Sequence, residues 1–356
     1  MSNTQVMSAR KFAVAAFSGV VALSLMLPTQ LAFADYYIDG DETPRDGTVD
    51  DNGEGSGGGT WNYVAEGQQM TLVDYVGESI RAYDQDLNIQ LEGDSTVQGG
   101  ISVGGGDLTI TGDDSKYGKD KPSVTLASNG EDGYSYAGIS AYRNSEDDAE
   151  HSVTIEDANI YAEAQYASIS GGGGVTIEDS GIYRGAENES TSISASNYDS
   201  EGQPQDADVL LKGSEIEATS VHATGTLTID NTNLTVIESD EAKEWYASEA
   251  SDDDKWIYYA VRAVKGIVLK GEANGEVVEY SGEYGTWYYL TTGSDDKIEL
   301  KASATPAYYG TTKGMPATGD NTLPVGASLG IVALFAAALS VYSLRQDKLA
   351  SGKSVK

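Results

Sequence analysis

The chain contains no cysteine, so neither a disulfide framework nor a thiolate metal centre is open to it. Histidine occurs twice, at His151 and His222, too few and too far apart for a histidine-rich zinc site. Proline is scarce, with 7 in 356 residues. Basic residues are few: 22 Lys and Arg stand against 56 Asp and Glu, a formal charge of −34. Charge of that sign repels phosphate backbones and argues against nucleic-acid binding by the whole domain. The chain is not a disordered acidic tail either, because 39% of it is hydrophobic and much of that falls in short, regular runs.

Long hydrophobic runs are confined to the two ends. Arg10 and Lys11 precede an apolar stretch from Phe12 to Leu27, Pro28 ends it, and Ala32-Phe33-Ala34 supplies a small-x-small site before Asp35. That order is a secretory signal peptide over 1–34, cleaved between Ala34 and Asp35. At the other end Met315-Pro316-Ala317-Thr318-Gly319 is followed by an apolar segment over 323–344 and a basic tail over 345–356 with Arg345, Lys348, Lys353 and Lys356. As a helix the apolar segment would be about 33 Å long, enough to span a bilayer, with the basic tail left in the cytoplasm.

The three C-terminal parts together resemble the sorting signal of Gram-positive cell-wall surface proteins, an LPxTG motif followed by an apolar span and a basic tail. Met315 stands where that motif has Leu, a residue of similar volume and polarity. The resemblance implies a sortase as partner, cleavage between Thr318 and Gly319, and transfer of the Thr318 carboxyl to peptidoglycan. The precursor would span the membrane and the product would sit on the cell wall. The displayed piece, 35–318, keeps 16 basic and 54 acidic residues, a charge of −38.

Between the ends a short string recurs. It reads Ile89-Gln90-Leu91-Glu92-Gly93, Leu108-Thr109-Ile110-Thr111-Gly112, Val153-Thr154-Ile155-Glu156-Asp157, Val175-Thr176-Ile177-Glu178-Asp179, Val209-Leu210-Leu211-Lys212-Gly213, Leu227-Thr228-Ile229-Asp230-Asn231 and Ile267-Val268-Leu269-Lys270-Gly271. A second apolar strand follows, marked by Val97, Val124, Leu126, Ile160, Ile182, Ile216 and Leu234. A third, rich in small residues, follows that: Ile101-Ser102-Val103, Gly138-Ile139-Ser140, Ser168-Ile169-Ser170, Ser192-Ile193-Ser194, Ser220-Val221-His222 and Ala263-Val264-Lys265. First strands begin 19, 45, 22, 34, 18 and 40 residues apart, so the bare unit is near 20 and the longer ones carry loops. Three period-two strands per unit, repeated, predict an all-β right-handed parallel β-helix of about seven irregular coils over 87–302. An immunoglobulin-type sandwich would show longer strands joined by hairpin turns instead. Residues 35–61 read as a flexible acidic and glycine-rich leader, 62–86 as an N-terminal cap in which Leu72, Val73, Val76 and Ile80 would share one face if helical, and 303–314 as a spacer.

Loops between second and third strands, at 127–137, 184–190 and 238–259, carry Tyr134, Tyr136, Trp245, Tyr246, Trp256, Tyr258 and Tyr259, with Tyr183 and Arg184 nearby. Aromatic rings with polar edges suit sugars and protein surfaces, so these residues are the expected ligand-binding set. Loops after the third strand carry Asp147, Asp148, Asp199, Asp206 and Asp208, carboxylates of the kind calcium takes. No complete metal motif is present: Asp84-x-Asp86-x-Asn88 starts like an EF-hand loop but lacks its glycine and final glutamate. No cofactor is required by any of these segments, and calcium is the candidate ion.

Catalysis has weaker support. β-Helices include polysaccharide lyases and hydrolases, but the polygalacturonase segments Gly-His-Gly and Arg-Ile-Lys have no counterpart: His151 lies in Glu-His-Ser and His222 in Val-His-Ala. Arg184 and Lys212 are the nearest candidates for lyase chemistry and lack a supporting motif. The expectation is a cell-wall-anchored adhesin or glycan-binding protein, whose partners would be host or microbial glycans or a basic surface protein. A ligand-free stalk or coat is the alternative and a polysaccharide-degrading enzyme the next.

Overall fold

The structure, a computed structural model, describes residues 35–39, 45–112, 121–128, 136–144, 150–186, 188–237, 260–270, 272–273, 276–282, 285–291, 297–301, 308–309 and 313–314. These residues form an all-β fold of mostly parallel sheets, with no helix among them. The recurrent strings are strands stacked in register. Leu87–Glu92, Leu108–Gly112, Ser152–Glu156, Gly174–Glu178, Asp208–Lys212, Thr226–Asp230 and Gly266–Lys270 make a first row, each parallel to the next. Asp94–Gln98, Ser123–Ala127, Asn159–Ala162, Gly181–Arg184, Glu215–Ala218 and Asn233–Ile237 make a second. Ile80–Tyr83, Ile101–Gly104, Tyr136–Tyr142, Tyr166–Gly171, Ser190–Ala195, Ser220–Ala223 and Val261–Ala263 make the third.

Register follows from burial. Ile155 lies opposite Ile177, Ile177 opposite Leu211 and Leu211 opposite Ile229, all fully buried. A slip of one residue would turn every such side chain to water, at about 1.5–3 kcal/mol for each Ile or Leu exposed. Two registers differ from the string matches. Leu108 pairs with Leu87 rather than Ile89, and Val261–Ala263, not Ala263-Val264-Lys265, pairs with Ser220–Ala223. The first difference is two residues, which preserves the buried face and therefore escapes a pattern of period two. The second is three residues, because the fully buried Val261, and not Val264, takes the place opposite Val221.

The last residue of four strings has a physical role at the corner between first and second rows. Asp157, Asp179, Gly213 and Asn231 all adopt left-handed backbone, φ between 46° and 60°. That region tolerates Gly, Asn and Asp and disfavours branched side chains. Just beyond the corner sits a buried column, Ala158, Ser180, Ser214 and Thr232. Ser180 Oγ accepts from the Ala158 amide at 3.2 Å and donates to the Glu178 carbonyl at 2.7 Å. Ser214 Oγ accepts from the Ser180 amide at 3.1 Å and donates to the Lys212 carbonyl at 2.7 Å, and Thr232 Oγ1 takes the same role for Ser214. Backbone groups freed by the bend are thereby satisfied away from water.

Both ends of the parallel rows close with antiparallel strands. Asp35–Ile38 pairs antiparallel with Ile80–Tyr83, and Gly58–Val64 with Gln69–Gly77. At the other end Gly285–Thr291 pairs antiparallel with Val261–Ala263, and Lys297–Lys301 with Asn233–Ile237. Three expectations are corrected here. The stretch 35–61 contributes strands, held by buried Tyr36, Ile38 and Trp61. Within 62–86, Leu72, Val73, Val76 and Ile80 lie on strands rather than one helical face: Met70 and Leu72 alternate inward until Asp74, at φ 47°, shifts the phase and turns Tyr75 in. The strands of 272–302 are mainly antiparallel, so the parallel repeat ends at Lys270. The segments 1–34, 315–319, 323–344 and 345–356 lie outside the described residues, among which no helix is long and apolar enough to cross a membrane.

Candidate functional site

Inward residues of the third row are Ile101, Ile139, Ile169, Ile193, Val221 and Val261, all buried. Strand alternation puts their neighbours on the outer side. There, position by position, stand Arg81, Ser102, Ser140, Ser170, Ser194, His222 and Arg262 in one in-register column. Six steps at ~4.8 Å between strands make the column about 29 Å long. A second column of small residues, Gly138, Ser168, Ser192 and Ser220, runs beside it. The result is a flat, hydroxyl-lined floor.

Aromatic residues border this floor. Tyr136 and Tyr166 are in register on one side, and the Tyr136 hydroxyl bonds to Ser168 Oγ. On the other side Tyr83, Gly104 and Tyr142 are in register. Gly104 is needed there because a Cβ would lie 2.9 Å from the Tyr142 ring. Tyr37 meets Tyr83 edge-on, with ring centroids 5.6 Å apart.

At the end of the column nearest the C-terminus, the Trp287 ring lies over His222 with centroids 5.6 Å apart, and the Arg262 guanidinium stands 5.2 Å from the same ring. His222 Nδ1 is 3.3 Å from Ser196 Oγ, while its buried Nε2 has no hydrogen-bond partner among the described residues. Burial, and then the neighbouring Arg262 charge, hold this imidazole well below its ordinary pKa. Burial also raises the Tyr198 phenol, opposed by Arg262 nearby.

Charge is distributed unevenly around the molecule. The seven strands of the third row contain no Asp or Glu. Elsewhere acids serve the backbone at corners: Asp86 Oδ1 accepts from the Asp107 amide at 2.9 Å, Asp107 Oδ1 from Ser152 at 2.8 Å, and Asp208 Oδ1 from Thr226 at 2.6 Å. The EF-hand-like triplet is thus dispersed among neighbours, since Asp84 bonds Asn144 and Asn88 bonds the Gly67 carbonyl.

The expected site residues fare differently. Tyr134, Trp245, Tyr246, Trp256, Tyr258, Tyr259, Asp147 and Asp148 lie outside the described residues. Tyr136 stands on a third-row strand rather than in a loop. Tyr183 stacks on Tyr161 on the second row at 5.2 Å, and burial with the Glu215 charge pushes its phenol to about 12. Arg184 is tied to Asn188, and Lys212 pairs with Glu178 on a different row. Asp199, Asp206 and Asp208 do not converge: Asp199 accepts from the amides of Glu201 and Gln203, Asp206 pairs with Lys265, and Asp208 caps Thr226. Among the described residues no group of three His, Asp or Glu is placed to hold a metal. The outer serine column was visible in the Ser-Ile-Ser strings, but whether its serines faced out or lay under a loop required the register. A comparison with protein-family models, curated proteins and solved structures finds no match to this chain.

Proposed function

We propose that this is a cell-wall-anchored surface protein of a Gram-positive bacterium, secreted by its signal peptide, joined to peptidoglycan through Thr318 by a sortase, and acting as an adhesin through glycan binding. Its ectodomain, on this reading, is a right-handed parallel β-helix. Support for that architecture comes from three rows of in-register strands, the first six first-row strands each followed by a second-row and then a third-row strand. The observation that carries glycan binding is the outer face of the third row. Its hydroxyl floor between tyrosine borders offers hydrogen bonds to sugar hydroxyls and faces for sugar rings. The floor runs across the strands, so an extended chain of sugars would lie along the stacking axis.

A glycan array with the purified protein, run with and without calcium, tests this. Binding weakened by replacing Ser140 and Ser170 with Leu, with an unchanged unfolding midpoint, is the expected result. New reducing ends or unsaturated products would point to an enzyme. Silence on every glycan would leave a stalk or coat protein.

A further inference from the structure

We infer that the end of this face around Arg262, His222 and Tyr198 is a subsite for an acidic substituent, a carboxylate or a sulfate, carried by the bound glycan. The inference rests on the glycan-binding reading and specifies its ligand. Its first ground is the fate of the basic residues. Among the described side chains, Arg45, Lys121, Arg143, Lys212, Lys265 and Lys270 each pair with a carboxylate, and Arg184 binds the Asn188 and Glu189 carbonyls. Arg81 and Arg262 have no carboxylate partner among the described residues, and both stand in the serine column. In a chain with 56 acids, two arginines that lack a carboxylate partner among the described residues, on strands that contain no Asp or Glu, leave locally positive potential on a chain of negative net charge.

The second ground is His222. Its side of the strand is the outer one, because Val221 and Ala223 fill the core. It is only 6% exposed, yet Nε2 has no partner among the described residues. With Nδ1 accepting from Ser196 Oγ, Nε2 carries the proton and is a buried donor without an acceptor, a costly state that a ligand oxygen would relieve. Tyr198 adds a hydroxyl near Arg262 from the Asn197–Tyr198 strand, and Trp287 supplies a flat ring beside both Arg262 and the neutral His222. Donors converge here and no carboxylate among the described residues pairs with Arg262, which is the chemistry that recognises a carboxylate or a sulfate. Arg81, at the far end of the column, stands between Tyr37 and Ser102 and has no buried imidazole beside it.

The test compares 3′-sialyllactose, 3′-sulfolactose and lactose by calorimetry on the full-length chain. We expect one or both acidic sugars to bind about tenfold more tightly than lactose, a difference that narrows as salt rises. Arg262→Gln should abolish the preference by weakening the acidic sugars far more than lactose, with the unfolding midpoint unchanged, Arg262→Lys should keep part of it, and Arg81→Gln should keep all of it. Equal affinity for the acidic and neutral sugars, or a preference that survives Arg262→Gln, overturns the subsite and leaves glycan binding standing. Absence of binding to all three sugars, together with silence across the array, overturns both.

Discussion

At the scale of single residues, the corner positions decide whether the chain can turn. Asn231 sits at φ 49°, and its amide bonds the Lys270 carbonyl at 2.8 Å. Asn231→Gly should be nearly neutral, whereas Asn231→Val should cost about 1–2 kcal/mol, because a branched Cβ strains left-handed backbone. Urea unfolding of the two variants checks the contrast; equal midpoints would show that the corner is not under this constraint. The buried hydroxyl column makes a second demand. Ser214→Ala removes the acceptor of the Ser180 amide and should cost about 1–3 kcal/mol, the penalty of a buried donor left without a partner. Ser102→Ala, on the outer face, should cost under about 0.5 kcal/mol by the same measurement.

Elements bring a different kind of sensitivity. The strand pair Glu276–Gly282 and Gly285–Thr291 closes the third row by pairing with Val261–Ala263, and it lays Trp287 over His222. His222 is buried beside Ser196, Arg262 and Trp287, so protonation in the folded state is opposed by desolvation and by Arg262. The unfolded chain takes up that proton near the ordinary value of 6.5, and the folded chain resists it. More protons bound when unfolded means that stability rises with pH, so it is full above about 6.5 and falls as the pH drops below it. Thermal unfolding between pH 7.5 and 5 should show this loss, and His222→Gln should reduce it. At the other end, Asp35–Ile38 and Gly58–Val64 protect the first parallel strands from edge pairing. Removing 35–64 should produce a self-associating chain, detectable by light scattering; a monodisperse product would deny these strands a capping role.

For the whole molecule, charge and anchoring are the relevant quantities. Thr318→Ala should keep the protein out of the covalent wall fraction, because the acyl donor for peptidoglycan is then wrong; recovery of wall-linked protein would refute the sorting assignment. The net charge of −34 is an average over a molecule in which described acids serve corners while the seven third-row strands contain no Asp or Glu. Bulk charge argues against polyanions such as nucleic acid, yet the third row retains two arginines that lack a carboxylate partner among the described residues.

Sequence alone located most strands of the three parallel rows. An apolar-x-apolar pair closed by Gly, Asp or Asn has one stable use when it recurs with two more short strands, because each unit must bury its apolar side against a neighbour. Those strings located the first-row strands, and the Ser-Ile-Ser strings already held the serine floor. Their register, their caps and their outer faces were decided only in three dimensions. A period of two cannot distinguish a shift of two residues, which is why the pairing of Leu108 with Leu87 was not legible. The pairing of Arg262 with His222, three residues from the string match, was decided by Val261 filling the core opposite Val221. The polar, glycine-rich 35–61 resembles a leader because strands at an end need little core of their own, only a few anchors such as Tyr36 and Trp61. Likewise, the meeting of His222, Trp287, Arg262 and Tyr198 joins residues from 198 to 287, brought together because an exposed sheet edge requires closing strands.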